Sequence, residues 1–181
     1  DGTSGSAAFT GGRLAAVFDG SGEQHFSFDA RGNPQFTVKR IRDPQLGILS
    51  PYKTGFGYDV IDRMTDVYYP DNDHCRYMYN SAGLPERIDG GPLGQVIVSE
   101  ADYQPTGKVR HLTFGNGVTT TNEYDIRERL TRLRTVSPIA GDVVHYSYDY
   151  DLVSNLRAVE DQRPFDGPHG VPAGSPRRNT Q

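Results

Sequence analysis

A single cysteine, Cys75, stands in a chain of 181 residues, which excludes an internal disulfide framework. Tryptophan is absent altogether. Hydrophobic residues make up only 35% of the chain, and the mean hydropathy is −0.63. That is little for one thick core and suits a sheet with much wetted surface. No apolar run approaches the length of a membrane span. Neither sign of charge dominates: the net charge is −4 with both signs interspersed, so there is no electrostatic case for nucleic acid or an anionic membrane as partner. No signal peptide is visible, and the chain opens at Asp1 instead of Met, as an excised piece of a longer protein would. Helical apolar spacing free of Gly and Pro nowhere exceeds a turn or two. Phosphate loop, nucleophile elbow and dinucleotide fingerprint are all missing. The chain is therefore read as a non-enzyme, with no catalytic, cofactor-binding or metal residue assigned.

What is present is a repeat. Eleven tyrosines and eight phenylalanines recur in a fixed setting: an aromatic anchor, Asp or Asn, two free positions, a small or polar residue, then a basic or polar one. The copies are Phe28-Asp29-Ala30-Arg31-Gly32-Asn33, Tyr58-Asp59-Val60-Ile61-Asp62-Arg63, Tyr79-Asn80-Ser81-Ala82-Gly83-Leu84, Tyr103-Gln104-Pro105-Thr106-Gly107-Lys108, Tyr124-Asp125-Ile126-Arg127-Glu128-Arg129 and Tyr150-Asp151-Leu152-Val153-Ser154-Asn155. A worn copy, Gly12-Arg13-Leu14, precedes them. The anchors lie 30, 21, 24, 21 and 26 residues apart, the length of one supersecondary unit.

Between anchors, short β-prone runs flank turn chemistry. Met64 to Tyr69 and His74 to Tyr79 enclose Pro70-Asp71-Asn72, which predicts a hairpin. Asp19-Gly20, Asn116-Gly117 and Pro138 to Asp142 predict three more, with Asn116-Gly117 fitting a type I′ turn. After the strand at Phe36 to Ile41, the long spacing predicts a loop insertion over Arg42 to Gly47, followed by Ile48 to Pro51. Leu156 to Val159 opens a seventh unit with no return strand in view. The expected organisation is a poorly ordered lead-in at 1–11, a hairpin-repeat sheet at 12–162 and a Pro/Gly-rich loop or truncated repeat at 163–181. The fold class is all-β, built from tandem antiparallel hairpins.

The repeated Asp29, Asp59, Asp125 and Asp151 read first as Asx-turn carboxylates bonding backbone N–H groups about two residues on, followed by a left-handed glycine. A metal or acid/base array is the weaker reading. The tyrosines read as packing residues on one face before they read as a sugar-binding ladder: Tyr77 with Tyr79, and Tyr148 with Tyr150, share faces and are expected to be more buried than His74, Arg76 and His145. Asp71-Asn72-Asp73 starts like a calcium loop, but Cys75 and Arg76 stand where an oxygen ligand and the sharp-turn Gly belong. His74 and Cys75 alternate across a strand, and His25, His111, His145 and His169 have no zinc spacing.

These units resemble the YD repeats of the Rhs family, which includes bacterial polymorphic toxins, the shell-forming B and C components of Tc toxins, and more distantly the animal teneurins. The resemblance runs from about Gly12 to Leu156. Its most specific parts are Tyr58-Asp59 through Tyr69-Pro70-Asp71, Phe114-Gly115-Asn116-Gly117-Val118 with Tyr124-Asp125, and Tyr148-Asp149-Tyr150-Asp151 with Asn155-Leu156, which are similar to the Tc-toxin and SpvB-associated branch. The resemblance implies one long spiralling sheet forming a sector of a hollow shell around a C-terminal toxin. It implies a secreted or cell-surface bacterial toxin complex, with further repeats or a partner shell subunit and an encapsulated toxin polypeptide as partners, and no nucleic acid. The alternative is an extracellular adhesion or glycan-binding segment. Gln104 replaces the Asp, and Asp62, Glu128 and Ser154 replace the Gly, so those turns are expected to differ. Asp43-Pro44-Gln45-Leu46-Gly47 through Ser50-Pro51 is similar to a motif of the family's conserved core but lacks its Arg-Phe pair. It is read as a loop.

Overall fold

The computed structural model describes residues 8–91, 94–164 and the backbone of 178–180. Most of the expected lead-in, and residues 165–177 of the expected terminal loop, lie outside the described residues. Among the described residues there is no helix, and none is therefore long and apolar enough to cross a membrane. The strands are β1 (Ala16–Asp19), β2 (Gly22–Phe28), β3 (Pro34–Arg42), β4 (Leu49–Tyr58), β5 (Met64–Tyr68), β6 (His74–Tyr79), β7 (Pro85–Gly90), β8 (Gln95–Tyr103), β9 (Val109–Phe114), β10 (Thr119–Tyr124), β11 (Leu130–Ser137), β12 (Gly141–Tyr150), β13 (Leu156–Asp161) and β14 (Arg178–Thr180). Among the described residues they hydrogen-bond in sequence order, each to the next, in one sheet whose order runs from β1 to β14.

Two compact units share these strands: one holds the residues up to Met78 together with 89–95, the other holds 79–88 and those from Val96 on. In the first unit β1 to β6 pair antiparallel. In the second, β8 to β14 do the same. Every anchor aromatic is the last residue of an even-numbered strand. The register slips by one at Phe28, Tyr58, Tyr103, Tyr124 and Tyr150, a bulge at each of these anchors.

Strand alternation sorts side chains by face. In the first unit Phe26, Phe56 and Tyr58 share a face with Val67, Cys75 and Tyr77, since Phe56 pairs with Val67 and Val67 with Cys75. In the second, Tyr146, Tyr148 and Tyr150 share a face with Leu133 and Val159. The opposite faces carry charge: Glu23 and Arg40 in the first, Arg134, Asp142 and His145 in the second. Among the described residues, only Val38, Val67, Val98 and Ala158 form a buried apolar set. The sheet is held by its backbone ladder and by cross-strand pairs, each worth roughly 0.2–1 kcal/mol, more than by a core.

Four expectations need correction. The long spacing between Phe28 and Tyr58 is not a loop insertion. The turn is only Asp43 to Ile48, closed by Asp43 N–H on the Ile48 carbonyl (2.8 Å). The extra residues lie in β3 and β4, which have 9 and 10 residues against 5 and 6 in β5 and β6. The seventh unit does find a return strand, because β14 pairs with the open edge of β13 (Ala158↔Thr180). Asn116-Gly117 is not a type I′ turn: only Gly117 has positive φ, +80°. It is the three-residue form, a type I turn closed by a left-handed residue. Finally, Tyr77 and Tyr79 are better covered than exposed Arg76, but His74 and His145 are half-buried, as the tyrosines are. His74 bonds Asp66 through Nε2 (2.8 Å) and stacks on Tyr68 at 4.5 Å, and His145 lies 3.4 Å from Asp142. These contacts cover the two rings on the charged face.

Candidate functional site: the row of repeat turns

The six repeats place six five-residue turns between even and odd strands: 29–33, 59–63, 80–84, 104–108, 125–129 and 151–155. Number each turn one to five from the residue after the anchor. In all six the first N–H donates to the fifth carbonyl, at 2.9 to 3.0 Å, and the fourth N–H to the first carbonyl, at 2.8 to 3.2 Å. The fourth residue is left-handed in all six: Gly32 (+100°), Asp62 (+65°), Gly83 (+80°), Gly107 (+85°), Glu128 (+62°) and Ser154 (+72°). The departures from glycine at 62, 128 and 154, and Gln104 in place of Asp, leave the backbone of the turn unchanged. The expectation that these turns differ is overturned. A hydrogen-bonded frame that closes at both ends fixes the conformation even where the side chain disfavours it.

The first side chain completes the frame. Asp29, Asp59, Asp125 and Asp151 accept through Oδ1 from the third and fifth N–H groups, and Asn80 does the same without a charge. Their Oδ2 atoms take the fifth side chain: Asn33, Arg63 (2.7 Å), Arg129 (2.7 Å) and Asn155 (2.9 Å). Backbone N–H and guanidinium of Arg129 hold the Asp125 carboxyl below its ordinary value, and the N–H and amide of Asn155 do so for Asp151. At Asp29 and Asp59 desolvation pushes upward and is outweighed by the bonds from Asn33 and Arg63. These carboxylates are thus each committed to their own turn. Among the described residues no three His, Cys, Asp or Glu side chains converge as a metal site. Asp43 is spent in the same way, on the N–H groups of Gln45 and Leu46 (2.8 and 2.7 Å). Cys75 is a half-buried free thiol. His111 bonds Thr121 on the neighbouring β10 and Thr113 on its own strand, β9.

The anchors link one turn to the one before it. Tyr103 Oη donates to the Pro85 carbonyl (2.5 Å), Tyr124 Oη to Val109 (3.0 Å) and Tyr150 Oη to Leu130 (2.9 Å). Each acceptor is the residue directly after the preceding turn. The fifth residue of that turn then lies over the next anchor ring: Lys108 Nζ is 5.3 Å from the Tyr124 centroid, and the Arg129 guanidinium 4.8 Å from that of Tyr150. Arg13 of the worn copy takes the same place over Phe28, at 5.4 Å. Sequence reasoning found the anchors and the basic fifth place but missed these bonds, because they join residues 15 to 20 apart. The recurring cation was the available signal.

No family model matches the chain, and no curated protein does either. Solved structures do. The crystal structure of TcdB2-TccC3 aligns with a TM-score of 0.74 at 19% identity, covering 83% of this chain and 8% of that one. The Photorhabdus luminescens Tc holotoxin pore gives the same figures. The crystal structure of TcdB2-TccC3-Cdc42 aligns with a TM-score of 0.72 at 19% identity, covering 82% of this chain and 8% of that one. This chain shares their fold and spans less than a tenth of their length.

Proposed function

We propose that this chain is a wall segment of an Rhs-type shell, one that encloses and protects or delivers a toxic polypeptide. The observation that carries the reading is the sequentially ordered sheet of hairpins, which follows the fold of TcdB2-TccC3 over 83% of the chain. Its role is mechanical, without a reaction of its own, in a secreted toxin complex. Its partners are further repeats or a partner shell subunit, and the enclosed polypeptide. The adhesion reading has no counterpart among these neighbours.

Scale argues that the wall needs more than this segment. Fourteen strands at ~4.8 Å each make a strip about 67 Å wide, which closed on itself would be a ring only about 21 Å across. A compact 100-residue domain has a radius of gyration near ~13 Å and is already wider than that. Enclosure therefore requires many more repeats.

Limited proteolysis of the parent protein tests the reading. The polypeptide downstream of the repeats should resist protease until the sheet unfolds, and should become cleavable at the same urea concentration at which the sheet's β signal is lost. A downstream polypeptide that is cut equally well with the sheet intact would overturn it.

A further inference from the structure

Asp62, Glu128 and Ser154 hold left-handed positions that disfavour a side chain, and each is met by the turn before it. Asp62 Oδ1 accepts from Asn33 Nδ2 (2.6 Å) and pairs with Arg31 Nη1 (3.0 Å). Glu128 Oε2 accepts from Thr106 Oγ1 (2.8 Å) and lies 3.7 Å from Lys108 Nζ, which also donates to the Glu128 carbonyl. Ser154 Oγ accepts from Arg129 Nη1 (3.3 Å), while Arg127 donates to the Leu152 carbonyl (2.7 Å). In all three the donors come from the third and fifth places of the preceding turn.

The glycine turns follow the complementary rule. The turn before Gly83 has Ile61 at its third place, and the turn before Gly107 has Ala82 there. Before Gly32 stands Gly11, and Arg13 lies so close to Gly32 that a Cβ there would overlap its guanidinium. The junctions inside each unit thus sort without exception. A donor side chain at the third place is followed by an acceptor side chain at the next fourth place; an apolar or absent side chain is followed by glycine.

We propose that the third place of one turn and the fourth place of the next form a recognition pair that selects which repeat sits beside which. At 62 and 128 the strained side chain is kept because a third-place donor meets it; at 154 the third-place Arg127 holds the Leu152 carbonyl of the same turn, and Ser154 takes its bond from the fifth-place Arg129. The terminal turn 151–155 carries Val153 at its third place. The surface beyond it therefore fits a repeat whose fourth residue is glycine, whether that repeat belongs to this protein or to a partner shell subunit. This second step rests on the shell reading; the pairing rule itself does not.

The test is a double-mutant cycle on the 181-residue chain, read by urea unfolding and by hydrogen exchange of the amides at 62 and 63. Arg31→Ile alone should lower the folding equilibrium constant, and Asp62→Gly alone should change it little, because relief of the backbone is cancelled by loss of the link. Arg31→Ile combined with Asp62→Gly should recover part of the loss, a coupling of about two- to fivefold. The converse pair, Ala82→Arg with Gly107→Asp, should show coupling of the same sign. Strict additivity at both junctions overturns the proposal, as does an Asp62→Gly change that stabilises equally with Arg31 present or replaced. Failure here leaves the shell reading standing, since protease protection is measured separately.

Discussion

The Tyr150 hydroxyl donates to the Leu130 carbonyl, twenty residues back, at 2.9 Å. The bond spans from the end of β12 to the start of β11, tying the exit of one repeat turn to the anchor of the next. Tyr103 and Tyr124 make the equivalent bonds to Pro85 and Val109. This explains the tyrosine at three of the six anchors, Tyr103, Tyr124 and Tyr150. Phe28 has no hydroxyl to give, and its ring keeps only the cation contact, with Arg13, that Tyr124 and Tyr150 make with Lys108 and Arg129.

Replacing Tyr103, Tyr124 or Tyr150 by Phe should keep the ring packing and lose the bond. Each substitution should cost about 1 kcal/mol, visible as a lowered urea midpoint with an unchanged slope. A change below about 0.3 kcal/mol at all three would show that the hydroxyls do not couple the repeats.

Two glycines should fail for different reasons. At Gly115, whose N–H donates to the Ile97 carbonyl (3.0 Å), a Cβ would overlap the Val96 carbonyl. Gly115→Ala must push β8 and β9 apart, and a loss of about 2–4 kcal/mol is expected. At Gly107 the space is open, but φ is +85°. Gly107→Ala should cost only about 1 kcal/mol, the left-handed penalty alone. Equal effects at the two sites would contradict the assignment.

The turns were legible in the sequence because their chemistry is local. Asp29, Asp59, Asp125 and Asp151 bond within four residues of themselves, so an aromatic-Asp-x-x-Gly pattern carries the whole device. The left-handed conformation of Asp62, Glu128 and Ser154 was not legible. It is imposed by backbone bonds from the first and fifth residues and rewarded by donors from another repeat. The length of β3 and β4 was also hidden: Asp43-Pro44 marks a turn but does not say how far the strands extend on either side. The covering of His74 and His145 depends on Asp66 and Asp142, carboxylates on the same face that no period-2 pattern weighs.

No tight metal site is expected. The four repeat carboxylates each accept from their own turn's N–H groups through one oxygen and from the fifth side chain through the other. A cation would have to displace those donors. Titration calorimetry with calcium or zinc should show no stoichiometric heat, and a saturable one-to-one isotherm in the micromolar range would refute this.

Acid should loosen the turn row. The carboxyls of Asp29, Asp59, Asp125 and Asp151 are all held below their ordinary value of 3.8 in the folded chain. A depressed folded value means that the unfolded chain takes up protons first as pH falls. The contribution of these groups is therefore complete above the unfolded value and is lost as pH drops through the lower, folded one. The urea midpoint should be flat from neutral pH to about 5 and fall progressively below about 4. Asn80 performs the same backbone task without a charge, so an amide fits the site. The fourfold variant Asp29→Asn, Asp59→Asn, Asp125→Asn, Asp151→Asn should fold, start from a lower midpoint at pH 7, and lose less of it on acidification. Asp19, Glu23, Asp43, Asp66, Asp102 and Asp142 are also held low, so the acid slope should shrink without vanishing. If the variant and the parent chain fall with the same slope, the turn carboxylates are not the groups that acid attacks.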